Sequence, residues 1–252
     1  MATIELTQPR TIVIKDRKRS YSLVVGRIAR ADWLKYFEGI VSISEMQEGR
    51  RIDSSDSTAA RLELVESKLI DAQGYAGYAT SGALASAVLP EGWQQKIPLG
   101  HRLAAGNALV SVTAVDAADE DNAPLALGVE AICLNAVWGA DEEGVMREYR
   151  GLCHRFRTPT AEQQRRFSRD ASRSMIIGGS RTGKTRYLGA RATLVALYDE
   201  LIESVEGYTV DGKPLGGREQ IIAEMDTYHK AVAADRLFSP AMPEITESDE
   251  AE

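Results

Sequence analysis

Residues Gly178-Gly179-Ser180-Arg181-Thr182-Gly183-Lys184-Thr185 satisfy the pattern G-x-x-x-x-G-K-[ST] at every fixed position. In a phosphate-binding loop of this type, backbone N–H groups cradle the phosphates. The lysine reaches the outer phosphates, and the final hydroxyl ligates Mg²⁺. Gly178, Gly183, Lys184 and Thr185 would then hold ATP or GTP with Mg²⁺. The local context suits such a loop, because the apolar run Met175-Ile176-Ile177 precedes it and a helical pattern over Tyr187–Val205 follows.

Three features oppose that reading. A phosphate-loop domain needs parallel strands alternating with crossover helices, yet only 67 residues follow Thr185 and they read mostly as helix. No later buried strand ends in an aspartate that could hold Mg²⁺; Tyr208-Thr209-Val210-Asp211 comes nearest and reads as a turn before Gly212. The loop also has a counterpart earlier in the chain, at Glu48–Ser55, where Ser54 stands for Lys184, Ser55 for Thr185 and Asp53 for Gly183. A Gly-rich turn leading into a helix therefore accounts for the motif without phosphate. The discriminating feature is the setting of Met175–Ile177: a central parallel strand favours a nucleotide, and an edge hairpin does not.

Other candidate chemistry is sparse. His101 and His229 occupy matching places in the two halves, each followed by a basic residue, which points to packing or capping. Cys133, Cys153 and His154 have no zinc-ligand spacing, and the thiols read as free and buried. Glu142 and Glu143 fall in a turn. Trp33, Trp93 and Trp138 read as core or interface anchors. No catalytic residues and no metal ligands are expected; an NTPase is the only enzyme class with motif support.

The element pattern is written twice. Shifting the chain by 130 residues lays Arg27–Val65 over Arg157–Val195 with 11 identities in 39 positions, among them Phe37/Phe167, Gly49/Gly179, Ala60/Ala190, Leu64/Leu194 and Val65/Val195. Unrelated sequence would give roughly two or three. Beyond a small insertion, Gly74-Tyr75 meets Gly207-Tyr208, His101-Arg102 meets His229-Lys230, and Leu109 meets Leu237. The expectation is an α+β fold of two tandem copies of a β-hairpin-plus-helices unit, with antiparallel strands and a pseudo-two-fold relation. The units span residues 1–117 and 125–238, joined by an acidic linker at 118–124 and followed by a disordered acidic tail at 239–252.

Within each unit, β-branched runs signal a hairpin, at Thr11–Ile14 with Tyr21–Val25 and at Gly128–Val137 with Val145–Arg157. Helices are expected at Ala31–Ile40, with Asp32 as a cap candidate, at Ser57–Ala72 behind caps at Ser54–Asp56, from Thr160 onward, at Tyr187–Val205, and as one helix over Ile221–Phe238. Ala76–Gly100 reads as loop.

Composition bounds function further. Of 252 residues, 44% are apolar and 27% charged, an ordinary globular balance, and the net charge is −7. Between Arg155 and Arg191 ten basic residues face two acidic ones, whereas acids dominate from Asp199 on. Such a segment can meet phosphates, an acidic protein surface or only solvent. Two cysteines and the lack of a leader-like or membrane-spanning run suggest a reducing, non-membrane, cytoplasmic setting.

The hairpin followed by Ala31-Asp32-Trp33-Leu34-Lys35-Tyr36-Phe37, with Pro159-Thr160-Ala161-Glu162-Gln163-Gln164-Arg165-Arg166-Phe167 and Met225-Asp226-Thr227-Tyr228-His229-Lys230, resembles phage and prophage tail-module proteins, including tail assembly chaperones. The resemblance covers about half of the chain, and the duplication and the Gly178–Thr185 loop depart from it. It implies a non-catalytic structural or assembly role in a virion or tail, without cofactor, through protein partners or a homo-oligomer. Nucleotide binding at Gly178–Thr185 and nucleic-acid binding through residues 155–191 are the alternatives.

Overall fold

The computed structural model describes residues 3–47, 50–75, 91–116, 127–171, 174–177, 183–187 and 190–240. The expected linker at 118–124 and residues 241–252 of the expected tail lie outside them. In chain order the first half contains β1 (Ile4–Glu5), β2 (Arg10–Asp16), β3 (Arg19–Val25), α1 (Arg30–Gly39), β4 (Val41–Gln47), β5 (Arg50–Asp56), α2 (Thr58–Lys68), β6 (Leu69–Gln73), α3 (Trp93–Lys96), α4 (Leu99–Leu109) and β7 (Val112–Asp116). The second half contains β8 (Val129–Ala140), β9 (Met146–Arg157), α5 (Ala161–Ala171), β10 (Ser174–Ile177), β11 (Gly183–Tyr187), α6 (Ala190–Leu201), β12 (Ile202–Val205), β13 (Tyr208–Val210), β14 (Lys213–Pro214), α7 (Arg218–Glu224) and α8 (Thr227–Phe238). The fold is α+β.

Both halves run through one order: hairpin, helix, hairpin, helix, then a strand returning to the second strand of the first hairpin. Thus β6 pairs antiparallel with β3, and β12 pairs antiparallel with β9. Local chemistry explains the early elements. Asp32 turns back to accept the N–H of Ala29 at 2.9 Å, and Trp33, Tyr36 and Phe37 bury one face of α1. Asp56 accepts the N–H of Thr58 at 2.8 Å at the start of α2. Between β13 and β14, Asp211 (φ 51) and Gly212 (φ 72) make the two-residue turn, the positive-φ pair that a tight hairpin favours.

Three expected helices end differently. Residues Leu69–Gln73 and Ile202–Val205 are strands rather than the last turns of helices, because each continues a sheet whose ladder outweighs local helical pattern. The expected helix Ile221–Phe238 breaks into α7 and α8 at Met225-Asp226, where the Asp226 carboxylate accepts the N–H groups of Tyr228 and His229 and so caps α8. Within the expected loop Ala76–Gly100, α3 and the start of α4 occupy part of residues 93–100.

The halves interlock. β1 lies parallel to β13, and β7 joins the second half's sheet, whose order is β12-β9-β8-β7. One buried cluster joins Ile4 and Leu6 to second-half residues such as Leu134, Phe156 and Tyr198. The other adds Val195 and Ala231 to first-half residues such as Leu23, Trp33 and Leu64. Some residues that match between the halves are core residues in both: Leu64 and Leu194, Val65 and Val195, Ala105 and Ala233, and Leu109 and Leu237 are all buried.

Candidate functional site

Gly183, Lys184 and Thr185 open strand β11, while Gly178 lies outside the described residues. On one side Lys184 pairs with Ile177 and Thr185 with Ile176. On the other, Gly183, Lys184 and Thr185 pair with Ser44, Ile43 and Ser42. A phosphate loop needs its Lys-Thr to begin a helix, so that successive N–H groups converge on one anion. In an extended strand they alternate from side to side, and here both sides belong to ladders. The helix expected directly after the motif starts only at Ala190. Met175–Ile177 belong to an antiparallel strand that is at the sheet's edge among the described residues, the setting that does not favour a nucleotide. Among the described residues no group of three or more His, Cys, Asp or Glu side chains could hold a metal ion.

The sheet containing this motif is the feature to which both halves contribute most evenly. Its order is β10-β11-β4-β5, antiparallel throughout, with one hairpin from each half. The halves meet here through the second strand of one hairpin and the first strand of the other. A pseudo-two-fold axis would instead pair like with like, so the expected two-fold relation does not describe this contact.

The halves are also held by charge. Arg10 Nη2 meets Asp226 Oδ2 at 2.5 Å with both side chains buried, and Trp33 Nε1 donates to the same oxygen at 3.2 Å. The Arg10 guanidinium lies 3.2 Å from the centre of the Trp138 ring. Burial alone would raise the Asp226 carboxyl, but Arg10, His229 and two backbone N–H groups hold it below its ordinary value. Burial lowers Arg10, with Asp226 opposing. More exposed pairs, Arg27–Glu224 and Arg30–Asp199, cross the same seam. Lys230 also reaches Asp199, at 2.6 Å.

Next to Asp226 begins a sealed chain of hydrogen bonds. His229 Nδ1 lies 2.9 Å from Tyr208 Oη, which lies 2.9 Å from His154 Nε2; His154 Nδ1 lies 2.8 Å from Tyr198 Oη. Each neutral imidazole has one donor and one acceptor nitrogen, and each hydroxyl donates once, so the chain runs in one direction at a time. Burial pushes His154 down to about 3, helped by His229, and pushes His229 down to about 4 against the pull of Asp226. Burial likewise holds Tyr198 and Tyr208 well above the ordinary phenol value. His229 Nε2 has no hydrogen-bond partner among the described residues, and its ring stands edge-on to Trp138. These neutral, solvent-free groups are suited to fixing α8 against the second-half sheet.

The same contact recurs in the first half, where Tyr75 Oη lies 2.8 Å from His101 Nδ1. The preceding glycines match as well, Gly74 at φ +88 and Gly207 at φ +90. Both histidines thus have packing roles. Trp33, Trp93 and Trp138 are buried. Cys133 sits opposite Cys153 across β8 and β9, and both thiols are free, Cys133 buried and Cys153 half-buried. Glu142 and Glu143 are exposed in their turn.

The basic segment meets acidic and carbonyl partners nearby. Arg155 pairs with Glu206, Arg166 with Glu200 and Arg169 with Asp170, and Arg157 donates to the Glu200 carbonyl. A cavity of about 470 Å³ lies among α1, α5, α6 and α8, walled in part by Phe37, Phe167, Tyr228 and Asp235. Arg191 stands over the Phe37 ring at its edge. No helix among the described residues is long and apolar enough to cross a membrane.

Sequence reasoning missed the Arg10–Asp226 centre and the His154–Tyr208–His229 chain. An aspartate followed by Thr-Tyr-His inside an apparent helix was the available signal for Asp226, as a cap; its partner 216 residues away left none. The structure defines the class: an α+β chain whose halves share an antiparallel sheet and a buried ionic seam. No family model, curated protein or solved structure matches the chain.

Proposed function

We propose that this chain is a non-catalytic structural or assembly protein, the product of an internal duplication, that acts through protein–protein contacts. One observation carries the reading: a sheet built from both halves ends in two strands, β10 and β5, each paired on one side only among the described residues. Unpaired strand edges are ready-made templates for pairing with another chain. The recurrence of the Gly-Tyr···His contact and of the buried Leu-Val positions supports the duplication. The resemblance to phage tail-module proteins suggests a tail or virion as the first setting in which to seek partners. The polar groups closest to an active-site constellation are sealed and neutral at pH 7, and apart from His229 Nε2 they hydrogen-bond to one another, which favours a scaffold over a catalyst.

The purified full chain, examined by native mass spectrometry and by pull-down against candidate tail proteins, should form a defined oligomer or bind such a protein. A strictly monomeric chain that captures nothing would refute the reading.

A further inference from the structure

We infer that the chain assembles head to tail with copies of itself, edge β10 of one copy pairing antiparallel with edge β5 of the next. This rests on the proposed assembly role and names its partner. The argument starts from the contact inside the chain. There, β11, the second strand of the second-half hairpin, pairs with β4, the first strand of the first-half hairpin. Two similar hairpins joined second strand to first strand necessarily leave two unlike edges. One is the first-strand edge of the second half, β10. The other is the second-strand edge of the first half, β5. These are the two kinds of edge that already recognise each other within the chain. The occupant best matched to each is therefore the other edge, presented by another copy.

The first hairpins have the same polarity. β7, donated by the first half, covers the outer edge of β8, while β2, which holds the place of β8 in the first half, stays at the edge of its sheet. The strand pairings that join the halves in these two sheets are thus heterologous, and a heterologous contact that repeats makes a ring when the rotation closes and a filament when it does not. The composition of β10, Ser-Met-Ile-Ile, lacks the proline and lysine by which natural edge strands discourage pairing.

The test uses the full chain with one edge blocked at a time. Proline removes a ladder donor and is tolerated where the N–H points away from the existing partner. N–H directions alternate along a strand. One of Met175→Pro and Ile176→Pro therefore keeps the β10–β11 ladder, and one of Arg51→Pro and Ile52→Pro keeps β5 on β4; circular dichroism and thermal unfolding select the folded member of each pair. Light scattering and native mass spectrometry of the wild type should show a series of multiples, or a closed ring, that grows with concentration. Each single-edge variant alone should be monomeric. Mixed in equal amounts, the two variants should give a one-to-one dimer and nothing larger, because one open β5 and one open β10 remain.

A wild type that stays monomeric across the concentration range overturns the inference, as does a single-edge variant that still self-associates, or a mixture that forms no dimer. A monomeric wild type that binds a tail protein would overturn head-to-tail assembly and leave the assembly role standing. A monomer that binds nothing removes both.

Discussion

Acidification tests the sealed histidine chain most directly. His154 and His229 are pushed down to about 3 and about 4 in the folded protein, by burial above all. In the unfolded chain both return to about 6.5. Between those values the unfolded state binds more protons than the folded one, so stability is complete above pH 6.5 and is lost as pH falls. Each histidine contributes a slope of about 1.4 kcal/mol per pH unit, and the two together about 3. From pH 6.5 to pH 4.5 the loss comes to about 5 kcal/mol, comparable with the whole stability of many domains. Asp226 and Glu200, which are lowered, act below the usual carboxylate range, outside this window. Asp235 is raised by burial, against Arg191, and so opposes the trend near its lower end. Urea unfolding followed by tryptophan fluorescence at half-unit steps gives the slope. His154→Gln should lower stability at pH 7 yet reduce the slope to about half, since one proton is removed from the balance. A wild-type slope below about 1 kcal/mol per pH unit across this window would refute the account of the two imidazoles as buried and neutral.

Other outcomes follow from the seam, the turns and the motif. Asp226→Asn keeps a capping side chain but strands the buried Arg10 charge, so urea unfolding should show a loss of about 3–5 kcal/mol, whereas Arg27→Ala, at a half-exposed pair, should cost less than about 1. Gly207→Ala would place a Cβ 2.7 Å from Leu152 Cδ2 at φ +90; a drop of about 2 kcal/mol in the same assay is expected from strain of this kind. ATP or GTP with Mg²⁺ should leave thermal unfolding unchanged in wild type and in Lys184→Ala alike, and a nucleotide-dependent rise that Lys184→Ala abolishes would restore the phosphate-loop reading.

Legibility in the sequence followed the range of the interactions. The β2–β3 and β8–β9 hairpins, the role of Asp32 in α1 and the cap at Asp56 are local, and their residue patterns show them. Matching residues in the two halves were visible too, and several of them, such as Leu64/Leu194 and Val65/Val195, occupy buried positions where side-chain volume constrains choice. β6 and β12 were not legible. Leu69-Ile70 and Leu201-Ile202 suit a helix end as well as a strand, and only pairing with β3 and β9 decides. The Gly178–Thr185 pattern is ambiguous for a related reason. Glycines, a lysine and a threonine before a helix describe a phosphate loop, but they equally allow a hairpin strand, and pairing of Thr185 with Ser42, far back in the chain, selects the strand. Arg10 and Asp226 form a buried pair only after the whole chain has folded between them.

That long-range pairing bears on how the shared sheet can work. A hairpin offered by a loosely tethered half would present its edge at a variable angle, and repeated association would give irregular aggregates. Here Arg10–Asp226, with Trp33 and Trp138 against it, ties β2, α1, β8 and α8 together through one buried centre. β1 on β13, β7 on β8, and Val195 and Ala231 in the first-half cluster add hydrophobic and ladder contacts in both directions. Separating the halves would expose two cores and leave two buried charges unpaired, a cost of several kcal/mol from the charges alone. The seam and the shared sheet thus both join the halves that carry edges β10 and β5. Weakening the seam, as Asp226→Asn does, should broaden the size distribution of the wild-type assembly at temperatures where the fold is still intact, even though residue 226 lies in neither edge strand.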